Sequence, residues 1–382
     1  MGRTKGRSNS EGTIFEYPEG SGVWWAQLPP DDQGRRPKRR AGSQREAREK
    51  LRELQRDRER GLNLTAKNPT VAQFLDTWLA EVVKPSVKAR THEGYAEVVR
   101  LYLTPHIGAQ RLDRLTVASV QRMFNDLQKR VSVQTVHNAY RRLRTALDVA
   151  VEWKLVAHNV ATAVRLPKIP HTEQRALTVD EARQLLDAVE DHRLAALYYV
   201  TLTLGLRKGE VSGLRWIDLN WEKGEVTIAQ QVQVVDGKTI FTTPKSDTSR
   251  RTLPIPPLLL KRLQQHYENQ QEERTLLDGE WQEHGLIFPT QVGTPIVPRN
   301  LSRYFYQALD RAGLDDVRFH DLRHTTATFL GELGVSESVI GTILGHSGGN
   351  ITRKYVHATK TAMRAAAEQV EQLLDTTRGE DA

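Results

Sequence analysis

Hydrophobic positions along this chain follow two rhythms, and the change of rhythm marks its parts. Val71, Phe74, Leu75, Trp78, Leu79 and Val82 recur at helical spacing. Further helices are expected over 90–103, 117–130 and 133–153, so that residues 66–165 read as all-helical. Before them, residues 13–17 and 22–28 are short runs rich in aromatic and β-branched residues, which predict two strands with a turn between them. The basic stretch RRPKRRAG at 35–42 reads as a turn or third strand. Ser43 then caps a helix over 44–60 whose Ala47, Leu51 and Leu54 share a face, while Glu/Arg pairs line its other faces.

The C-terminal half mixes both rhythms. Thr178, with Glu181 three residues on, predicts a capping box for a helix over 179–190. A helix over 194–204 follows. Residues 225–235, 239–243 and 251–255 read as one short antiparallel sheet, with Asp236-Gly237 as a hairpin turn. Helices are then expected over 297–312, 320–333, 336–344 and 361–375. The two prolines in LPKIPH at 166–171 mark a linker. The fold class expected is mostly α with small antiparallel β-sheets, divided at 1–65, 66–165, a linker at 166–174, and 175–382.

Composition narrows the chemistry. The 382 residues contain no cysteine, which removes disulfides, thiolate nucleophiles and cysteine-type zinc sites. No apolar run reaches the length of a membrane span, and the first residues lack the apolar core of a secretory signal. The net charge of +8 suggests a polyanionic partner, with nucleic acid the first candidate. Residues 1–60 carry 15 Lys/Arg against 10 Asp/Glu, so much of the excess lies at the start. There Trp24, Arg36, Lys38, Arg39 and Arg40 are candidate DNA contacts on a small sheet. Arg90, Arg141 and Arg144 are candidates on the helical part, where Arg141, Arg142 and Arg144 give one helix a basic face. For the helix after Ser43, a plain solvated face is the simpler reading.

The reactive residues cluster late. His320, Arg323 and His324 stand at i, i+3 and i+4, on one helical face. Two imidazoles and a guanidinium suit an anion. The same His-x-x-x-His spacing occurs in zinc sites, but Arg323 between the histidines argues against a cation, and His324 alone also fits a structural role. Arg207 sits where a helix ends or restarts, Lys245 in a hairpin turn, and His346 nine residues before Tyr355. No carboxylate cluster accompanies them. That inventory fits metal-free attack on a phosphodiester. Guanidinium groups would stabilise charge on the non-bridging oxygens, a lysine would protonate the leaving oxygen, and a histidine would help ionise a phenol.

These residues fall in four motifs: TLGLRKGEVSGLRWIDL at 203–219, TPKSDTSRR at 243–251, FHDLRHTTATFL at 319–330 and LGHSGGNITRKYVH at 344–357. In content and order they resemble the tyrosine recombinases of the phage integrase type. The resemblance implies that Tyr355 is the nucleophile, forming a 3′-phosphotyrosyl bond and freeing a 5′ hydroxyl. It implies that Arg207 and Arg323 bind the phosphate and that Lys245 is the general acid. His320 and His346 would bond the phosphate or assist proton transfer, while Glu210 would be structural. The Gly348-Gly349 pair departs from the family, which is usually less flexible there.

More loosely, 66–165 resembles the helical core-binding domain and 1–65 the three-stranded arm-binding domain of integrases. The activity implied is site-specific integration of a temperate phage or integrative element through a Holliday junction, with no cofactor and no metal. The partners implied are double-stranded DNA attachment sites and a homo-tetramer on DNA. A recombination directionality factor and a host DNA-bending protein are candidate helpers. The place implied is the bacterial cytoplasm, at the nucleoid, with no membrane. Residues 362–374 would dock on a neighbouring protomer or pack on their own domain. Two rival readings are a type IB topoisomerase, which shares the chemistry, and a catalytically inactive DNA-binding regulator on the same scaffold.

Overall fold

The computed structural model describes residues 11–31, 34–59, 64, 69–170, 175–243, 250–277, 279–345 and 360–375. The chain divides into two compact units, Met1–His171 and Thr172–Ala382.

The first unit opens with strands β1 (Thr13–Glu16), β2 (Trp24–Gln27) and β3 (Lys38–Ala41) in one antiparallel sheet, followed by helix α1 (Gln44–Glu59). Ser43 caps α1 as its sequence suggests, its hydroxyl accepting from the Glu46 N–H at 3.2 Å. One face of the sheet packs on α1 through Ala26, Leu28 and Leu54, with Ile14 and Leu51 at the margin. Strand alternation then fixes the other face. Trp25 pairs with Arg40 and Gln27 with Lys38, whereas Trp24, Ala26 and Arg39 share the parity of the buried side.

The helical remainder has its own core. Its elements are α2 (Val71–Trp78), α3 (Lys84–Ser86), α4 (Ala89–Val98), α5 (Thr104–Ile107), α6 (Val117–Gln128) and α7 (Val133–Glu152), and α2, α5, α6 and α7 supply buried core residues. Two π-helical turns, Leu79–Val83 and Val99–Leu103, join α2 to α3 and α4 to α5. A π turn holds more residues than an α turn and so shifts the phase of the buried stripe. That is why Val83 is buried and Val82 only half-buried, although α-helical spacing points to Val82.

The second unit is built around α9 (Ala195–Leu204), in which every residue after Ala195 is buried. Before it, α8 (Val179–Asp187) starts with the expected capping box between Thr178 and Glu181. After it come the short α10 (Lys208–Ser212) and the strands β4 (Leu219–Asn220), β5 (Glu225–Ile228), β6 (Gln231–Val235), β7 (Lys238–Thr242) and β8 (Arg251–Pro254). The single strand expected over 225–235 is broken at Ala229-Gln230, which splits the sheet in two. Among the described residues, β4, β5 and β8 form one sheet, and β6 pairs only with β7. Asp236 (φ +49°) and Gly237 (φ +71°) turn the β6–β7 hairpin with both central residues left-handed, as a type I′ turn requires.

Helices α11 (Pro257–Leu276), α12 (Pro298–Ala312), α13 (Phe319–Glu332), α14 (Glu337–Leu344) and α15 (Lys360–Leu374) complete the unit. The twenty residues of α11 show little apolar periodicity, because two of the groups facing the core are polar. His266 Nε2 lies 2.7 Å from the Ile287 carbonyl, and Gln270 bridges that carbonyl to the Trp216 indole. Within the single chain, Met363, Ala366, Val370 and Leu374 of α15 enter the main core. Among the described residues, no helix is long and apolar enough to cross a membrane.

Candidate active site

The site forms where two helices end. α9 terminates at Gly205 and α14 at Gly345, each in the left-handed conformation, at φ +60° and +64°. Glycine tolerates that region without the Cβ conflict other residues meet. Space demands it too. A Cβ on Gly205 would lie 2.4 Å from Leu344 Cδ2, and one on Gly345 would lie 2.9 Å from Arg251 Nη1. The last carbonyls of a helix have no partner within it and carry its negative pole, so cations gather there.

Three arginines from three elements occupy that pole. Arg251, the first residue of β8, donates from Nε to the Ile343 carbonyl at 2.7 Å. Arg323, in α13, donates from Nη2 to the Leu344 carbonyl and from Nη1 to the Gly205 carbonyl at 2.7 Å. Arg207, just before α10, donates from Nη2 to the Gly345 carbonyl at 3.3 Å. Consecutive carbonyls at 343, 344 and 345 thus each accept from a different guanidinium.

Glu210 offsets part of this charge. Its Oε1 lies 2.7 Å from Arg207 Nη1, its Oε2 lies 3.0 Å from Arg251 Nη2, and Oε2 also accepts the Arg207 N–H at 3.1 Å. Burial alone would raise this carboxyl. Arg251 beside it and the hydrogen bonds from both arginines outweigh burial and hold it below the usual carboxylate range. Burial, then the charge of Arg207, pushes Arg323 down to about 9, which leaves it protonated at neutral pH. The Arg323 residue is 2% exposed, whereas the Arg207 side chain is 35% exposed.

His320 is exposed one turn before Arg323, its ring edge-on to His324 at 5.0 Å between centroids. Partial burial first, then His324, Arg323 and Arg207, hold His320 below the ordinary imidazole range. His324 is lowered too, by burial and then by Arg323 and Arg318 against the pull of Asp321. Both shifts favour the neutral imidazole, which can accept a proton or a hydrogen bond. The α13 helix that carries them is anchored at its start by Asp321, which accepts the Arg318 N–H at 2.7 Å and pairs with the Arg318 guanidinium. Alongside α9 it is held by the Thr326 hydroxyl, donating to the Leu202 carbonyl at 2.7 Å.

Of the six residues singled out for catalysis, the structure gathers Arg207, Arg323 and His320. Lys245, His346 and Tyr355 lie outside the described residues. Sequence reasoning gave no role to Arg251, although it closes the TPKSDTSRR motif. An arginine opening the apolar strand TLPI, where a solvent-facing residue is unneeded, was the available signal. Among the described residues, no three His, Asp or Glu side chains are grouped to hold a metal ion.

The sequence-named DNA candidates are distributed unevenly. Lys38 and Arg40 lie on the outer sheet face, Lys38 over the ring of Trp25 at 5.1 Å. Trp24 is half-buried on the α1 side, and Arg39 is paired there with Glu53 at 2.7 Å and Asp57 at 3.2 Å. Arg36 is exposed. Arg90 is exposed but paired with Glu93. Arg141, bonded to Asn138, and Arg144 are exposed on α7, while Arg142 stacks on Tyr95 at 4.1 Å.

Comparison with known proteins agrees with this architecture. Residues 175–362 match the phage integrase family, and residues 70–128 match the phage integrase N-terminal SAM-like domain. A XerC-like tyrosine recombinase of Caldanaerobacter subterraneus is 32% identical over 334 residues, spanning 82% of this chain and 85% of that protein. The chain belongs to the phage integrase family of tyrosine recombinases. Two solved structures share its fold. One is the Tn1549 transposon integrase in complex with a circular intermediate DNA, at TM-score 0.65 and 20% identity over 79% of this chain and 99% of that one. The other is a lambda integrase tetramer bound to a Holliday junction, at TM-score 0.55 and 17% identity over 95% and 97%.

Proposed function

We propose that this protein is a site-specific DNA integrase of a temperate phage or integrative element. The observation that carries this is the meeting of Arg207 and Arg323, 116 positions apart in sequence, on neighbouring carbonyls beside an exposed His320. Paired guanidinium groups at one point suit a phosphodiester, whose developing charge they stabilise bidentately. In this reading the Tyr355 phenolate attacks phosphorus, the bond to the 5′ oxygen breaks, and Lys245 protonates that oxygen. His320 and His346 hydrogen-bond the phosphate or share the tyrosine's proton. The 3′-phosphotyrosyl bond conserves the energy of the broken one, so rejoining to another strand needs no ATP, metal or cofactor. Arg323 touches the phosphate through N–H groups beyond the two that bind carbonyls, since a guanidinium has five.

The same reading gives 175–382 the catalysis, 66–165 the core site and 1–65 the flanking arm sites, with 166–174 as linker. A tetramer would join two attachment sites and exchange strands through a Holliday junction in the bacterial cytoplasm, with a directionality factor and a DNA-bending protein as candidate helpers. Similarity to an integrase tetramer on a Holliday junction supports this assembly. The N-terminal sheet supports an integrase over a simpler two-domain resolvase.

A plasmid carrying two copies of the DNA junction that flanks the gene tests the proposal. Incubated with protein, an integrase deletes or inverts the intervening segment. A type IB topoisomerase would only relax the plasmid, and a regulator would bind it unchanged.

A further inference from the structure

Arg251 is the most enclosed member of the arginine cluster after Arg323. Its side chain is 6% exposed, so it has no open face to offer DNA. Yet it touches two things the reaction depends on. Through Nη2 it holds the Glu210 carboxylate whose other oxygen holds Arg207. Through Nε it holds the Ile343 carbonyl, one residue before the carbonyl that binds Arg323 and two before the one that binds Arg207.

We propose that Arg251 is a positioning residue for the phosphate-binding pair, acting on Arg207 through Glu210 and on both arginines through the carbonyl end of α14. This rests on the integrase reading above. Among the described residues, Glu210 without Arg251 would keep hydrogen bonds from Arg207 alone and could follow it outward. The carbonyl end of α14 would also lose one of the three donors that fix it. A guanidinium suits this post better than an ammonium, since its rigid fork reaches a carboxylate and a carbonyl at once. Gly345 is part of the same arrangement: its missing Cβ leaves the space in which the Arg251 guanidinium lies.

The test is a double-mutant cycle on single-turnover cleavage of a suicide duplex cut from the gene's own flanking junction. Arg251→Lys keeps the charge and loses the fork. It should bind the duplex as wild type does but cleave it about 10–100-fold more slowly, the scale of a small misplacement of reacting groups. In an Arg207→Ala background, Arg251→Lys should cost clearly less than it costs alone, because the route through Glu210 and Arg207 has gone and only that through Arg323 remains. A merely structural role would multiply with Arg207→Ala, and that result, or full-rate cleavage by Arg251→Lys, overturns the proposal. If Arg251→Lys does not fold, Glu210→Gln enters the same cycle with the same two outcomes. Wild-type protein that binds the duplex without cleaving it refutes the integrase reading and this proposal together. Cleaving wild type with an undiminished variant removes only the positioning role.

Discussion

Arg323 Nη1 donates to the carbonyl of Gly205 at 2.7 Å, tying the middle of α13 to the end of α9 across 118 residues. The bond requires Gly205 to turn its carbonyl towards the site at positive φ, with Leu344 and Thr326 packed where a side chain would start. Gly205→Ala should therefore cost at least about 1–2 kcal/mol of stability from the left-handed backbone alone. The displaced Leu344 adds to that cost and carries the second Arg323 acceptor with it. Urea unfolding and DNA cleavage measured together should both decline. Unchanged values in both would mean the two helix ends are not held as described.

Acid should weaken the protein in two stages. His320 and His324 are held below the ordinary imidazole value, so the folded state binds fewer protons than the unfolded chain. Their contribution is present above the unfolded value of about 6.5 and is lost as pH falls from there towards the lower folded values. Glu210 and Asp321 are held below the carboxylate range, so their stabilisation exists above about pH 4 and is lost as pH falls through their folded values. Unfolding free energies at a series of pH values should show both declines, and His324→Gln should flatten the first.

The same shift makes a kinetic prediction. A neutral His320 accepts a proton or hydrogen bond at pH 7, so single-turnover cleavage should slow in acid with a midpoint below about 6.5. His320→Gln should be slower overall and lack that acid limb. A limb that persists in the variant would assign it to another group.

Asp321 is 1% exposed and accepts three hydrogen bonds from Arg318. Asp321→Ala leaves the Arg318 N–H at the start of α13 without its carboxylate and should cost about 1–3 kcal/mol. Because α13 carries His320 and Arg323, cleavage should fall more than DNA binding.

On the N-terminal sheet, neighbouring tryptophans should behave oppositely. Trp25→Ala should weaken DNA binding with little loss of stability, and Trp24→Ala the reverse, because only Trp25 shares the outer face with Lys38 and Arg40. Lys38→Ala should reduce the slope of log affinity against log salt by about one phosphate contact. Binding titrations at several salt concentrations with arm-length duplexes distinguish these outcomes.

What was legible in the sequence was local. The Thr178–Glu181 box, the Asp236-Gly237 turn and the apolar stripes of α2 and α12 follow from chemistry within a few residues. What was illegible depended on distant partners. α11 hides its inward face behind His266 and Gln270, which find acceptors at Ile287 only after folding. The parity that sends Trp24 inward is set by pairing with β3 and by α1, not by β2 itself. Arg207, His320 and Arg323 were recognisable by motif, but the role of Arg251 was not, since a buried arginine makes sense only beside the carboxylate and carbonyl it serves.

In the proposed reaction Arg207 and Arg323 form a phosphate-binding pair serving a tyrosine nucleophile. The most direct test is to incubate the protein with its flanking DNA without divalent metal, quench in denaturant and map any DNA-linked peptide by mass spectrometry. A covalent adduct should form on Tyr355, be absent in Tyr355→Phe and be strongly reduced in Arg207→Ala. DNA binding without an adduct, or an adduct on another residue, would contradict the proposed reaction.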